Sequence, residues 1–220
     1  MKKRSGEWGL ILKEILYPEG AVCLVCGKIS EGECLCSACG KELRQSDLAE
    51  SWERRDLQGA DAWSIRPHRG IARELVIRLK YGANVCAAGE LVRLLEERPP
   101  VFPDFPRETV VTWVPMPASR KRERCIDHGK VLAEYTARQL HLPCRQLLSR
   151  RGNGRTQEGL NRARREQSLQ NAFIPAVRIG FPVLLVDDVL TTGTTALRCI
   201  AALREAGAED ITVLTMTRAV

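Results

Sequence analysis

The segment from residue 183 to residue 203 constrains this chain more than any other part of the sequence. It reads VLLVDDVLTTGTTALRCIAAL, in which an apolar run leads directly into two adjacent carboxylates, Asp187 and Asp188. A loop of threonines around Gly193 follows, and then an alanine- and leucine-rich helical pattern. A β-branched apolar run bounded by turn residues is typical of a buried strand. The segment therefore predicts a strand, a tight loop and a helix in direct succession.

The threonine-rich loop is suited to binding a phosphate group. The first backbone N–H groups of a helix have no partner within the helix, and the helix dipole favours an anion at that end. Gly193 allows the backbone to approach the anion without a Cβ atom in the way. A Walker-type loop is excluded, because no lysine follows the glycine. The predicted phosphate-binding residues are Thr191, Thr192, Gly193, Thr194 and Thr195.

The acid pair needs a different ligand, because Asp187 and Asp188 would repel a phosphate. Carboxylates suit the hydroxyl groups of a sugar, or a magnesium ion held indirectly. A phosphate loop beside a pair of hydroxyl acceptors predicts a ribose 5-phosphate site. The motif resembles the signature of type I phosphoribosyltransferases, which bind phosphoribosyl pyrophosphate (PRPP). The resemblance implies that Asp187 and Asp188 bind the ribose 2′- and 3′-hydroxyls and that residues 191–195 bind the 5-phosphate.

Length and composition favour one full domain with a small additional module. The chain has 220 residues, of which 44% are hydrophobic, and a domain typically takes about 150 residues. We predict a module over residues 1–50 and a larger domain over residues 51–220. Apolar positions from Trp8 to Leu16 recur at helical spacing and predict an amphipathic helix within the module, while Lys13 and Glu14 interrupt the apolar run that a signal peptide would need. No run approaches the ~20 apolar residues of a membrane span, so we expect a cytoplasmic protein.

Four of the nine cysteines form two Cys-x2-Cys pairs, each a candidate zinc knuckle. In a chain without a secretion signal, such pairs bind a metal more often than they form disulfides. Four sulfur ligands would complete the coordination sphere, so this zinc would be structural and not catalytic. Cys34 lies between the pairs and is an alternative ligand to Cys36, although Cys36 preserves the symmetry of the knuckles. The predicted ligands are Cys23, Cys26, Cys36 and Cys39.

Helical and extended patterns alternate through the rest of the chain. Such alternation predicts an α/β fold, in which helices cover the faces of a parallel sheet. Ligands of these sheets bind at the carboxyl ends of the strands, where the acid pair would lie. The prolines of 97–108 predict a loop. Helices are predicted over residues 71–81, 85–97 and 129–140 and from Thr194 to Ala206, and strands over 109–117, 183–189 and 211–216.

Positive charge is concentrated in residues 119–165. The chain carries a net charge of +7, yet this basic segment has 13 Lys and Arg against four Asp and Glu. The remainder of the chain is slightly acidic as a result. Such a concentration favours a polyanionic ligand, either nucleic acid or a small molecule that carries pyrophosphate.

The order of several motifs extends the resemblance to nearly the whole chain. After the two knuckles come LKY at 79–81, VPMPASRKRERCIDHG at 114–129, RTQEGLNRARR at 155–165 and finally VDDVLTTGTT at 186–195. This order resembles the ComF family of bacterial competence proteins. The resemblance implies a type I phosphoribosyltransferase-like fold preceded by a small zinc-ribbon-like module, with PRPP and Mg²⁺ as ligands and a link to DNA uptake.

The resemblance also implies roles for the basic residues. Residues 114–129 would form the loop that binds pyrophosphate, and Lys80 would reach the same anion. His128, in the same motif, is a candidate acid–base residue or an ordinary loop histidine. The arginines expected to contact phosphate are Arg120, Arg122 and Arg124.

A second basic stretch, residues 150–165, matches the mobile loop that such enzymes close over the site. The matching residues are Arg155, Thr156 and Gln157. The chemistry asks little of any single side chain, because the bond to pyrophosphate breaks with oxocarbenium character and needs charge stabilisation and exclusion of water. The residues expected to carry catalysis are Asp187, Asp188, Lys80 and Arg124.

Two function classes follow from these patterns. The first is a phosphoribosyltransferase that uses PRPP and Mg²⁺ to transfer or hydrolyse the phosphoribosyl group, with release of pyrophosphate. The second is a non-catalytic accessory protein that binds PRPP or single-stranded DNA and works with DNA-uptake proteins. The basic segment holds few aromatic residues that could stack on bases, which favours the enzyme. A redox or zinc-storage protein would leave residues 183–203 unexplained.

Overall fold

A computed structural model describes residues 22–30, 32–45, 51–117, 120, 124–150 and 173–220. Within it the chain divides into two compact units, Met1–Ser46 and Asp47–Val220. The predicted boundary after residue 50 falls in a stretch, 46–50, outside the described residues. The amphipathic pattern from Trp8 to Leu16 lies outside them too.

The smaller unit folds around its cysteine pairs. An isolated antiparallel bridge joins Val22 to Ile29 across the first knuckle. The second knuckle begins just before helix α1, Ser37–Gln45, and the backbone N–H of Gly40 donates to the carbonyl of Cys36 at 2.9 Å. Each pair of cysteines is therefore held by short-range backbone hydrogen bonds.

The larger unit is built on a five-stranded sheet with a separate two-stranded ribbon. Its strands are β1 Glu53–Asp56, β2 Asp61–Pro67, β3 Val110–Trp113, β4 Leu148–Arg150, β5 Phe173–Pro175, β6 Val183–Leu190 and β7 Ile211–Arg218. The main sheet has the order β1-β2-β7-β6-β3, and all of its pairs are parallel except β1 with β2. Strands β4 and β5 form the antiparallel ribbon. The predicted α/β fold with a mainly parallel sheet is thereby confirmed.

Helices cover both faces of the main sheet. They are α2 Gly70–Gly82, α3 Val85–Arg93, α4 His128–Leu140 and α5 Thr194–Glu205, with a 3₁₀ turn at Leu94–Glu97. Helix α4 packs on β3 and β6, α2 contacts β2 and β7, and α3 packs against both of these helices. Helix α5 packs beside β4 and β5, and its Cys199 and Ile200 share a core cluster with Val183 and Leu185 on the other face of the main sheet. Among the described helices, none has the length and apolar character required to cross a membrane.

Most of the predicted elements are confirmed, with two corrections at their ends. The predicted helix over 85–97 is α-helical only to Arg93 and then tightens into the 3₁₀ turn. The predicted strand over 109–117 ends at Trp113, because Pro115 and Pro117 lack the N–H that a sheet requires. Strands β1, β2, β4 and β5 were not predicted from the sequence.

Strand β6 separates its side chains between the two faces of the sheet. Val183 and Leu185 join the core cluster that contains Cys199 and Ile200 of α5. Because side chains alternate along a strand, Leu184, Val186 and Asp188 point to the opposite face, which α4 covers. The same alternation continues through the acid pair that follows.

Candidate functional site

The candidate site lies at the carboxyl edge of the parallel sheet. Asp187 is paired with Thr215 in β7, and Trp113, the last residue of β3, is paired with Val186, so the acid pair lies just beyond the carboxyl end of β3. An open cleft of about 240 Å³ occupies this edge. Its lining residues are Lys80, Val114, Pro115, Met116, Pro117, Arg120, Arg124, His128, Arg150, Asp187, Asp188, Val189, Thr191 and Thr195.

The cleft brings together seven of the fourteen site residues that were predicted outside the cysteine cluster. The acid pair, three basic residues and the two ends of the threonine loop all line it. Thr192, Gly193 and Thr194 form the middle of that loop and are not among the lining residues. Predicted residues that lie outside the described part of the chain are Arg122, Arg155, Thr156 and Gln157.

The threonine loop is shaped by hydrogen bonds among its own residues. The hydroxyls of Thr192 and Thr194 lie 2.9 Å apart, and Gly193 caps the N-terminus of α5 with a φ of 77°. A Cβ atom at Gly193 would lie 3.1 Å from Cδ2 of Leu57. Both the backbone angle and the close packing therefore require glycine at this position.

Asp188 is a buried carboxylate with two basic partners. Its Oδ2 atom lies 2.9 Å from Nζ of Lys80 and 2.8 Å from Nε2 of His128, and its side chain is only 8% exposed. Burial by itself would raise the pKa of Asp188, but the hydrogen bond from His128 and the charge of Lys80 outweigh it and lower the pKa. Asp188 is therefore an ionised hydrogen-bond acceptor.

Asp187 lies in a different environment on the other face of β6. Its Oδ1 atom accepts the backbone N–H of Asp188 at 2.9 Å. Burial, followed by the negative charge of Asp188, raises the pKa of Asp187 to about 8. Near neutral pH, the two adjacent carboxyl groups therefore differ in protonation state.

Arg124 connects the basic segment to the acid pair. Its Nη1 atom lies 3.2 Å from Nδ1 of His128, and its guanidinium group lies over the ring of Tyr81, 5.1 Å from the ring centroid. Tyr81 is 74% exposed. The sequence assigned Tyr81 no role beyond its place in the LKY motif, because α2 and the basic segment come together only through the fold.

Two further residues support the acid pair and were missed from the sequence. The hydroxyl of Thr217 donates to the backbone carbonyl of Asp188 at 3.1 Å. Since that hydroxyl has only one proton, it accepts from Nδ1 of His68, which lies 2.9 Å away. Burial, Lys80 and Arg73 together lower the pKa of His68. No local sequence pattern identifies Thr217 or His68 as part of the site. Thr217 contacts Asp188 from the neighbouring strand β7, and His68 contacts Thr217 from the end of β2.

The four predicted zinc ligands converge in the smaller unit. The sulfur atoms of Cys23, Cys26, Cys36 and Cys39 all lie within 4.8 Å of one another. Tetrahedral zinc with bonds of about 2.3 Å to sulfur needs sulfur atoms at about this separation, so the cluster could hold a zinc ion. The cluster contains Cys36 and not Cys34, in agreement with the preferred ligand set.

The local backbone favours thiolates in this cluster. Burial raises the pKa of Cys23, but backbone N–H groups, first that of Cys26, lower it to about 6 overall. The pKa of Cys36 is also lowered, mainly by the backbone N–H of Cys39. The pKa of Cys39 is raised by burial and by the neighbouring thiols. Several sulfur atoms that share one small space are best accommodated around a cation.

Comparisons with known proteins agree with the motif order. No family model matches the chain. Competence protein F of Haemophilus influenzae is 37% identical over 111 residues, which cover 48% of this chain and 48% of that protein, so the match spans about half the length of the curated relative.

Two solved structures are similar to the fold. Glutamine PRPP amidotransferase of B. subtilis, complexed with ADP and GMP, has 23% identity and a TM-score of 0.46, over 64% of this chain and 30% of that one. A phosphoribosyltransferase of Corynebacterium diphtheriae has 15% identity and a TM-score of 0.35, over 82% of this chain and 96% of that one. Over about half its length, the chain is thus a homologue of a protein named Competence protein F.

Proposed function

We propose that this chain binds PRPP with Mg²⁺ and transfers or hydrolyses its phosphoribosyl group, releasing pyrophosphate, in a process linked to competence and DNA uptake. One observation carries the proposal. The acid pair and the threonine loop at the end of β6 line the same cleft as the basic side chains of Lys80, Arg120 and Arg124. Hydroxyl acceptors, a phosphate loop and a cationic wall are the groups that PRPP requires.

The 5-phosphate and the ribose have separate places in this arrangement. Thr191 and Thr195 line the cleft at the N-terminus of α5, where backbone N–H groups and the helix dipole attract a phosphate. One ribose hydroxyl would donate to the carboxylate of Asp188 and the other would bind the carboxyl group of Asp187; both residues lie at the end of the preceding strand. Charge-assisted hydrogen bonds of this kind contribute roughly 1.5–3 kcal/mol each.

Pyrophosphate would bind at the basic wall of the cleft. Arg120 and Arg124 line it, and Arg150 lines it from β4. The ammonium group of Lys80 has three protons, so it can remain paired with Asp188 and still donate to a phosphate oxygen. As the bond from C1 to pyrophosphate breaks, these cations would stabilise the charge that develops on the leaving group.

Mg²⁺ fits the chemistry of the donor set, because hard oxygen ligands line the cleft at the acid pair. The ionised Asp188 would hold the ion together with PRPP oxygens, and so would Asp187 once the cation has displaced its proton. When bound, Mg²⁺ would neutralise charge on the pyrophosphate. The protein side chains orient the ribose, bind the two anionic ends and exclude water.

Zinc would have a structural role in this proposal. All four cluster positions are taken by sulfur, which leaves no open coordination site for a substrate. The ion would stabilise the module over residues 1–50, while the chemistry takes place in residues 51–220. We place the protein in the cytoplasm, as the sequence predicts.

The decisive experiment measures pyrophosphate release from PRPP by the purified protein, with and without Mg²⁺, alongside calorimetric binding of PRPP. The variant combining Asp187→Ala and Asp188→Ala should lose binding and turnover, while Asp104→Ala, an exposed carboxylate elsewhere, should retain both. Equal PRPP affinity in the double variant and the wild type would show that the ligand is wrongly assigned.

A non-catalytic role with single-stranded DNA is the second candidate. The observation that favours it is the exposed ring of Tyr81 beneath the guanidinium of Arg124, an aromatic surface joined to the basic segment. Exposed aromatic rings next to arginine are typical of surfaces that stack on bases. PRPP binding without pyrophosphate release, combined with salt-dependent oligonucleotide binding, would favour this role and partners in DNA uptake.

A further inference from the structure

Asp188 is held between two helices that arrive from different parts of the chain. Lys80 is in the last turn of α2, and His128 is the first residue of α4. Both place a nitrogen within 3 Å of the same carboxylate oxygen, Oδ2, at 2.9 Å and 2.8 Å. The side chain of His128 is 12% exposed and that of Lys80 is 21% exposed, so all three groups are largely removed from water.

The contact with Arg124 defines which nitrogen of His128 carries the proton. A guanidinium group has only donors, so Nη1 of Arg124 must donate to Nδ1 of His128, which accepts with its lone pair. The proton of the neutral ring is then on Nε2, and it points to Oδ2 of Asp188. Both ring nitrogens of His128 are engaged, one as acceptor and one as donor.

We propose that His128 is a positioning residue, and not an acid–base residue, that links the pyrophosphate side of the cleft to the ribose side. The inference rests on the proposed function. In the chain Arg124 to His128 to Asp188, the imidazole orients the guanidinium and the carboxylate at once. Among the described residues, the contacts of Lys80 and His128 both fall on Oδ2, so Oδ1 is the oxygen that would accept the ribose hydroxyl.

Two substitutions separate the donor function of His128 from its acceptor function. Glutamine carries an amide N–H at nearly the distance of Nε2, so His128→Gln keeps the donor to Asp188. Asparagine ends near Nδ1, so His128→Asn can contact Arg124 but does not reach Asp188. We expect PRPP affinity within about threefold of wild type for His128→Gln and a loss of about tenfold or more for His128→Asn, the usual consequence of losing a hydrogen bond to a charged group. Thermal unfolding of both variants verifies that they remain folded.

A spectroscopic measurement without ligand tests the same assignment. In ¹⁵N NMR of imidazole-labelled protein, the neutral ring of His128 should be the tautomer that carries its proton on Nε2 and has a bare Nδ1. A protonated Nδ1 would overturn the inference, and so would His128→Asn binding PRPP as well as wild type does. If the wild-type protein fails to bind PRPP while the NMR tautomer is as expected, the proposed function is overturned and the positioning of Asp188 by His128 is supported.

Discussion

Asp187 accepts a hydrogen bond of 2.9 Å from the backbone N–H of Asp188, although the two side chains leave β6 on opposite faces of the sheet. Asp188 meets Lys80 and His128 on the face covered by α2 and α4. Asp187 lies on the face covered by α5. There, burial and the negative charge of Asp188 raise its pKa, and among the described residues no basic side chain forms an ion pair with it. Adjacent residues in one motif thus acquire opposite pKa shifts.

The raised pKa of Asp187 predicts a loss of stability with rising pH. Its pKa of about 8 exceeds the ordinary value of 3.8, so between these values the folded state holds a proton that the unfolded state releases. The free energy of unfolding should therefore decrease as pH rises through this window. Asp187→Asn removes the effect, and urea unfolding at pH 8 should find the variant more stable than wild type by at least about 1.4 kcal/mol, the value of one pKa unit.

The lowered pKa of Asp188 acts in the opposite direction and in a different window. Its contribution to stability is present above pH 3.8 and is lost as pH falls through the lower pKa of the folded state.

The Asp187→Asn variant should be compared with wild type at two pH values. At pH 5 the difference in free energy of unfolding between the two proteins should be much smaller than at pH 8. An exposed control, Asp104→Asn, should show the same difference from wild type at both values, and a pH-independent effect of Asp187→Asn would contradict the assignment.

Gly193 should tolerate no side chain. Gly193→Ala would place a Cβ at a φ of 77° and 3.1 Å from the side chain of Leu57, so either Leu57 or the phosphate loop must shift. We expect a stability loss of about 1 kcal/mol or more and at least tenfold weaker PRPP binding, measured by urea unfolding and calorimetry. Gly180→Ala is the matched control, because its Cβ would meet nothing within 4 Å and its φ is not positive.

The cysteine cluster should bind one zinc ion per chain. Cys23→Ser removes a buried ligand from the set of four and should abolish stoichiometric zinc in protein purified without chelator, as measured by elemental analysis. Cys144→Ser changes a cysteine outside the cluster and should keep the metal. PRPP binding should persist in both variants, because zinc and PRPP occupy separate units in the proposal. Wild-type protein without zinc would refute this prediction.

Tyr81 offers the clearest test of nucleic-acid binding. If bases stack on its ring, Tyr81→Ala should weaken binding of a single-stranded oligonucleotide by about 1–3 kcal/mol, and Tyr81→Phe should retain it. Tyr135→Ala is the control, since that ring also lies beneath an arginine, Arg138 at 5.2 Å, but on a partly buried part of α4. Fluorescence anisotropy at several salt concentrations measures both the affinity and the number of phosphate contacts.

Equal oligonucleotide affinity in Tyr81→Ala and wild type would remove the structural argument for a DNA-binding role. Tyr81→Phe should leave PRPP affinity unchanged, because it keeps the ring beneath Arg124, and Tyr81→Ala should affect PRPP only through Arg124, since Tyr81 is not among the residues that line the cleft. The two ligands can therefore be assigned separately with the same set of variants.

Local chemistry made much of the fold and of the site predictable. The acid pair, the glycine of the threonine loop and the two knuckles each depend on residues close together in the chain, where strand alternation, helix ends and thiol spacing act directly. The same applies to the four predicted helices. Strands β1, β4 and β5 were missed because they are short, and β2 was missed because its sequence, DAWSIRP, mixes apolar and charged residues.

The sequence by itself determined which functional groups this chain carries: hydroxyl acceptors, a phosphate loop, a basic segment and four thiols. Only the tertiary structure decided how they are paired. Lys80 and His128 meet at Asp188 because α2 and α4 cover one face of the sheet, whereas Asp187 faces the other. The protonation of the acid pair depends on burial and on charges a few ångströms away in space, and neither can be read from distance along the chain.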